Sequence, residues 1–416
     1  MKILNVCTSD KSGGAAIAAY RLHQGLVHQG VDAFFLAQEK TKGDANVIEP
    51  LNAVTKSMKR LHVFGKIERL TNQWYTGQKT IPFSSAMLAT PNVLNKIEEI
   101  DPDIVHLHWV NRSFLTPSLI AKIKRPLVWS MHDMWAFTGG CHYDDNCGKY
   151  QQLCGACPVL NSFKEKDLSR KGFLTKQKSF ENLDLTIIGL SNWIMNAAQK
   201  SQVFNPSTTR FVNLPNPIDT NVFFPIEKET AKKILGVPTE RKLLLFGAMN
   251  ATSGSRKGFD LLAEAFEKLA VSSETNLNLM IFGASQSEHN FKFPVHFTGH
   301  VHDDITKRIV YSAADLMLIP SRQDNLPNTA VEAMACATPV VAFNTGGLAD
   351  IVDHKVNGYL ASPFSVDDFA DGIKYILSPD NKHMTDEAHQ KVLNVFASDK
   401  VVDKYVILYK QLIEKN

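Results

Sequence analysis

The 416-residue sequence has no apolar run of the roughly eighteen residues needed to cross a bilayer, which argues against a membrane-spanning helix. The apolar stretch near its start, Ile3 to Cys7, is too short for the core of a secretory signal. The chain is therefore expected in the cytoplasm, attached at most peripherally to the inner face of the cell membrane. It also lacks a charge excess of either sign. Lys and Arg number 45 against 42 Asp and Glu, a net charge of +3, too balanced for a dedicated nucleic-acid binder. Cysteine is scarce, six in all, and four of these (Cys141, Cys147, Cys154 and Cys157) crowd into one segment, unlike a secreted disulfide framework. The early glycine stretch SGGAAIAAY lacks the G-x-G-x-x-G spacing of a dinucleotide site, which weakens an oxidoreductase reading.

What is present is a rhythm. Short apolar, β-branched runs alternate with segments of helical period: KILNVC then AAIAAYRLHQGLVHQG, followed by DIVHLHWV, PLVWSMHD, LTIIGLS and RFVNLPN. A second series runs KLLLFGA, NLMIFGA, VHFTGH, DLMLIPS and PVVAF. Such alternation predicts βαβ units with parallel sheets. Pro215, Pro217 and Pro225 punctuate a linker between the series. The expected organisation is a domain over 1–212, a linker over 213–225, a second domain over 226–395 and a terminal helix over 396–416 packing across both. Each domain is a doubly wound, Rossmann-like α/β unit, and the two face a central cleft.

In open parallel sheets ligands bind beyond the carboxyl ends of the strands, so the residues after each apolar run matter most. They are Ser12-Gly13-Gly14, His132-Asp133, Arg256-Lys257-Gly258, Asp324 with Glu332 eight residues on, and Thr345-Gly346-Gly347. Taken singly, a glycine pair turns the chain, Arg256-Lys257 is a solvated pair, Asp324 caps a helix and His132 fills a core. Gathered at one place, they offer cations, carboxylates and backbone N–H groups to an anionic ligand. Asn325 or Asn328 is a candidate cap for a helix beginning near Pro327. Asp133 is expected to orient a neighbour or cap a turn. His106 and His108 alternate along DIVHLHWV, spaced for metal ligands but equally for the buried end of a strand; without a nearby third ligand the structural role is preferred.

The segment PSRQDNLPNTAVEAMACATPVVAFNTGGLADIV, with LPNPID and VNGYLASP, resembles the GT-B glycosyltransferases of family 4 over most of the chain. VWSMHDMWAFTGGCHYDDNCGKYQQLCGACPVLN further resembles the capsular and exopolysaccharide transferases of the colanic-acid type. The resemblance implies retaining transfer from a nucleotide-diphosphate sugar without a catalytic metal. His132 matches a histidine that touches the donor sugar, and Lys257 a lysine that binds phosphate. The family's E-x7-E acids read here as Asp324, shorter by one methylene at the sugar-contacting position, and Glu332, whose oxygens suit the ribose hydroxyls. Ala248 stands where the family usually has an arginine, with Arg256 as its substitute. Gly13, Gly14, Asn325, Leu326, Gly346 and Gly347 complete the implied donor site.

The four clustered cysteines, in an insertion over 139–160, are spaced C-x5-C-x6-C-x2-C, enough to wrap one structural Zn(II). Reduced packed thiols and disulfides are the alternatives. The stretch 55–79 mixes Lys56, Lys59, Arg60, Lys66 and Arg69 with Leu61, Phe64, Ile67 and Trp74. It is either a solvated helix face or a basic amphipathic surface for an anionic membrane. The resulting expectation is a retaining transferase passing a sugar from a UDP- or GDP-sugar to a lipid-linked glycan in capsule, exopolysaccharide or O-antigen synthesis. It needs no catalytic cofactor and binds no nucleic acid. The competing expectation, prompted by Asp324 and Ala248, is a non-catalytic nucleotide-sugar-binding subunit.

Overall fold

A computed structural model describes residues 1–41, 43–50, 81–247, 255–271, 276–287, 289 and 291–415. The amphipathic stretch 55–79 and Ala248 lie outside the described residues. The chain divides into two compact units, one of Met1–Asn216 with Val401–Asn416 and the other of Pro217–Lys400. The second half of the expected linker thus belongs to the second unit, and most of the terminal helix Ser398–Glu414 to the first. No helix among the described residues is long and apolar enough to cross a membrane.

In the first unit the strands are β1 (Lys2–Ser9), β2 (Asp32–Glu39), β3 (Val47–Ile48), β4 (Ile104–Leu107), β5 (Leu127–Met131), β6 (Leu185–Gly189) and β7 (Thr209–Asn213). Every pairing between them is parallel, in the order β3-β2-β1-β4-β5-β6-β7. A parallel sheet is covered on both faces, and so β4, β5 and β6 are apolar runs buried along their whole length rather than alternating ones. The helices start where capping chemistry allows. Ser191 accepts from the Ile194 N–H to open the helix Asn192–Gln199, and Asp167 accepts from the Arg170 N–H to open Leu168–Phe180.

The second unit's strands are β8 (Lys242–Gly247), β9 (Leu277–Phe282), β10 (Val295–Gly299), β11 (Leu316–Ile319), β12 (Val340–Phe343) and β13 (Gly358–Ala361). They are again all parallel, in the order β10-β9-β8-β11-β12-β13. The strand order reverses between β8 and β11, and such a switch point leaves a crevice at the carboxyl ends of those two strands. Ten of the thirteen strands fall on apolar runs read from the sequence; β2, β3 and β13 do not.

Candidate active site

The switch point of the second unit brings together the residues that follow β8 and β11. Arg256 and Lys257 sit on a short turn, Ser255–Lys257, ahead of the helix Phe259–Val271. Lys257 Nζ donates to Asp324 Oδ2 at 2.5 Å, and Arg256 lies 3.4 Å from Oδ1. Arg256 also donates to the Gln323 carbonyl at 2.8 Å, and the Ser321 hydroxyl to Asp324 Oδ2 at 3.1 Å. Burial alone would raise the Asp324 pKa, but the charges of Lys257 and Arg256 outweigh it and hold the carboxyl at about 2. Burial pulls the Lys257 pKa below its ordinary value, with Asp324 opposing it. Two cations against one carboxylate leave this cluster with one net positive charge.

Two glycines make the close approach possible. Gly258, at φ 70°, and Gly346, at φ 58°, each sit where a Cβ would lie 1.9 Å from a carbonyl oxygen, that of Pro320 and of Asp324 respectively. Any side chain would push these loops apart. The Gly347 N–H donates to the Asp324 carbonyl at 3.0 Å. That corrects the expectation that this amide faces a ligand phosphate: its hydrogen joins two loops instead.

Glu332 lies buried in the helix Asn328–Ala335 and accepts from the Tyr311 hydroxyl at 2.8 Å. Pro327, not an asparagine, occupies the position before this helix, and its own side chain makes no capping bond. Asn325 and Leu326 are buried in the connection between β11 and the helix, where the Asn325 N–H donates to Asp324 Oδ1 at 3.2 Å. Tyr311 and Ser321 were not singled out by the sequence; a tyrosine inside an ordinary amphipathic helix carries no local signal of what it will meet.

In the first unit Gly13, at φ 93°, precedes the helix Gly14–His28, whose N-terminus carries the positive end of its dipole. His132 follows β5, where its Nε2 lies 3.1 Å from His108 Nδ1. Burial lowers the His132 imidazole to about 4 and that of His106 to about 3, so both are neutral at physiological pH. His106 meets the Tyr409 hydroxyl at 2.6 Å and that of Ser130 at 2.8 Å, the structural role preferred for it. Asp133 accepts from Trp109 Nε1 at 2.8 Å and from the Trp135 N–H at 2.9 Å, and holds His142 Nδ1 at 2.6 Å. It orients neighbours and closes a turn, as read from the sequence.

The four clustered cysteines are free thiols, three buried and Cys147 partly so. Burial raises the pKa of each. Cys141 and Cys157 pack with Ile81, Val159 and Leu160, while Cys154 joins the main core of the unit. Among the described residues no group of three or more His, Cys, Asp or Glu is arranged to hold a metal ion, while Cys157, Cys154 and Cys147 each raise the Cys141 pKa further by their charge, so the four thiols are electrostatic neighbours. Beside them Lys176 is wholly buried, its Nζ donating to the Trp135 and Thr138 carbonyls and lying 3.9 Å from the Trp135 ring centroid.

Two family descriptions share the chain, Glycosyltransferase Family 4 over residues 12–222 and Glycosyl transferases group 1 over residues 240–379. The chain belongs to glycosyltransferase family 4. An uncharacterized glycosyltransferase of Methanocaldococcus jannaschii, MJ1607, is 30% identical to it over 75% of this chain and 76% of its own. The putative colanic acid biosynthesis glycosyl transferase WcaC of Escherichia coli is 26% identical over 85% of each chain. Among solved structures, Anabaena Alr3699/HepE, in complex with UDP and glucose, matches with a TM-score of 0.65 and 16% identity, covering 99% of this chain and 100% of that one. This glycosyltransferase therefore has the GT-B fold, and exopolysaccharide enzymes are among its relatives.

Proposed function

We propose that the protein is a retaining glycosyltransferase that moves a sugar from a UDP- or GDP-sugar to a lipid-linked glycan during exopolysaccharide or capsule synthesis. The observation that carries this reading is the Lys257–Asp324 pair at 2.5 Å, with Arg256 alongside, at the switch point of the second unit. Departure of a nucleoside diphosphate concentrates negative charge on its oxygens and positive charge on the anomeric carbon. Lys257 and Arg256 supply fixed positive charge for the former, with no metal required for that role. Asp324, held ionised between them, supplies the negative charge that an oxocarbenium-like carbon needs. Glu332, steadied by Tyr311, accepts from the ribose hydroxyls. In the first unit, the helix N-terminus at Gly13-Gly14 and His132 are donor contacts on this reading because of the resemblance to family 4. The relation to WcaC favours a polysaccharide acceptor, and HepE, which holds UDP, favours a uridine donor.

The test is turnover. Purified protein with radiolabelled UDP- and GDP-sugars should release nucleoside diphosphate, transfer label to a lipid-extractable glycan and keep the anomeric configuration of the donor. Lys257→Met should abolish release. Failure to bind any nucleotide sugar would end the proposal, and tight binding without release or transfer would favour the non-catalytic subunit instead. Sedimentation with anionic liposomes tests membrane attachment through 55–79.

A further inference from the structure

Arg256 and Lys257 are carried on a turn of three residues, Ser255–Lys257, too short to fix two long side chains by itself. Two arginines that reach across each other hold it. From the turn after β8, Arg256 donates to the Gln323 carbonyl at 2.8 Å; from the connection after β11, Arg322 Nη1 donates to the Ser255 carbonyl at 2.7 Å. Between these bonds the Arg322 backbone N–H donates to the Arg256 carbonyl at 2.8 Å. The three stitches fall on the residues just before Lys257, and the close approach of Gly258 to the Pro320 carbonyl falls on the residue just after it.

Arg322 is itself anchored. Its Nη1 and Nη2 fork onto Asp260 Oδ1 and Oδ2 at 2.7 and 2.6 Å, and Asp260 lies in the first turn of the helix Phe259–Val271. The bond from Arg322 holds the Asp260 carboxyl below its ordinary pKa, so it is ionised at neutral pH. A two-point fork fixes the plane of a guanidinium as well as its distance. Support therefore runs from the helix through Asp260 and Arg322 to the turn that carries the two cations. The Arg322 and Asp260 side chains are 35% and 63% exposed, and so open an ion pair contributes little to stability. The charges of the pair cancel, so it adds no net charge beside Lys257. What it supplies is placement.

We propose that Asp260 and Arg322 are positioning residues that hold Arg256 and Lys257 in place for the diphosphate of the donor. The inference rests on the reading of Lys257 as a phosphate contact and deepens it. Placement and plain electrostatics predict opposite signs. Asp260→Asn removes a negative charge near an anionic ligand, so charge alone would tighten diphosphate binding, whereas a loosened turn weakens it.

The test measures the affinities of the full chain for UDP and for uridine, and for GDP and guanosine as a second pair. Asp260→Asn should weaken the diphosphate of the pair that binds by about tenfold or more and leave its nucleoside within about twofold, which also shows that the variant is folded. Arg322→Lys keeps the charge but loses the fork, and should do the same. Asp260→Glu keeps a partner for the fork and should recover most of the lost affinity. Diphosphate binding that is unchanged or tighter in Asp260→Asn overturns the proposal, as does equal weakening of nucleoside and diphosphate. A second measurement needs no ligand. In denaturant unfolding, Lys257→Met should cost less stability in the Asp260→Asn background than in wild type, because the turn has already been loosened. Additive costs would mean that Asp260 does not place Lys257, and the proposal fails. Non-additive costs with Lys257→Met leaving UDP and GDP affinity unchanged would instead refute the phosphate role of Lys257 and leave the clasp standing.

Discussion

Asn in place of Asp324 removes the negative charge at the centre of the Lys257–Arg256 cluster while leaving its shape almost unchanged. The carboxylate is 5% exposed and faces Lys257 at 2.5 Å and Arg256 at 3.4 Å. These cations overcome burial and depress its pKa from 3.8 to about 2. At roughly 1.4 kcal/mol per pH unit, the depression is worth about 2–3 kcal/mol of stability at neutral pH. Because the folded value is the lower one, this contribution is present above the ordinary pKa and disappears as the pH falls toward about 2. Asp324→Asn also leaves Lys257 and Arg256 repelling each other with their partner gone, so the loss should reach about 2–4 kcal/mol. Denaturant unfolding of the full chain should show that loss at neutral pH and a narrowing difference from wild type as the solution is acidified through the window. A cycle with Lys257→Met should show coupling of at least about 1 kcal/mol. Equal stability of Asp324→Asn and wild type at neutral pH, or additive single and double variants, would refute the reasoning.

Removing the Glu332 carboxylate charge with Glu332→Gln should weaken nucleotide-sugar binding by about 1–3 kcal/mol, and Tyr311→Phe should weaken it less; calorimetry with UDP and with its 2′-deoxy analogue checks this, since only the ribose form should respond. Gly346→Ala places a methyl group 1.9 Å from a backbone oxygen at φ 58°, whereas Gly30→Ala, at φ 77°, meets nothing within 4 Å. The first should cost several kcal/mol and the second about 1, read as shifts in melting temperature. Burial lowers the Lys176 pKa from 10.5 to about 7, so above about 7 the folded state sheds a proton that the unfolded chain retains. Stability should therefore rise with pH between those two values, by an amount on the order of a few kcal/mol, and Lys176→Met should flatten that rise in a pH series of unfolding curves.

The sheets were legible because burial on both faces turns a strand into an unbroken apolar run, and βαβ connection spaces those runs regularly. β2 escaped detection because DAFFLAQE begins and ends on charge, and β13 because GYLA opens on a glycine after Asn357 and so reads as a turn rather than as an unbroken apolar run. At the site, residue types at the strand ends announced a place for an anion, and the pairing of Lys257 with Asp324 follows from loops that the switch point brings together. The role of Tyr311 depends on a helix packing across sequence-distant Glu332, and no local pattern encodes that. The Gly347 amide shows the opposite failure. A glycine pair before a helix reads as a phosphate cradle, yet here tertiary context gives one of its two hydrogens to a neighbouring loop.

The first unit is discontinuous in the chain, its last helix arriving from Val401 onward after the whole second unit has been threaded through. Tyr409 hydrogen-bonds His106 from 303 positions away, and Tyr405 and Leu412 are buried beside it in the sequence. During synthesis on the ribosome, the N-terminal half must wait as an unfinished body until the final segment emerges. Its completion is then a late event, and a nonsense codon just before Val401 would strand the early half without its closing piece, exposing it to proteolysis although the whole second unit had been made.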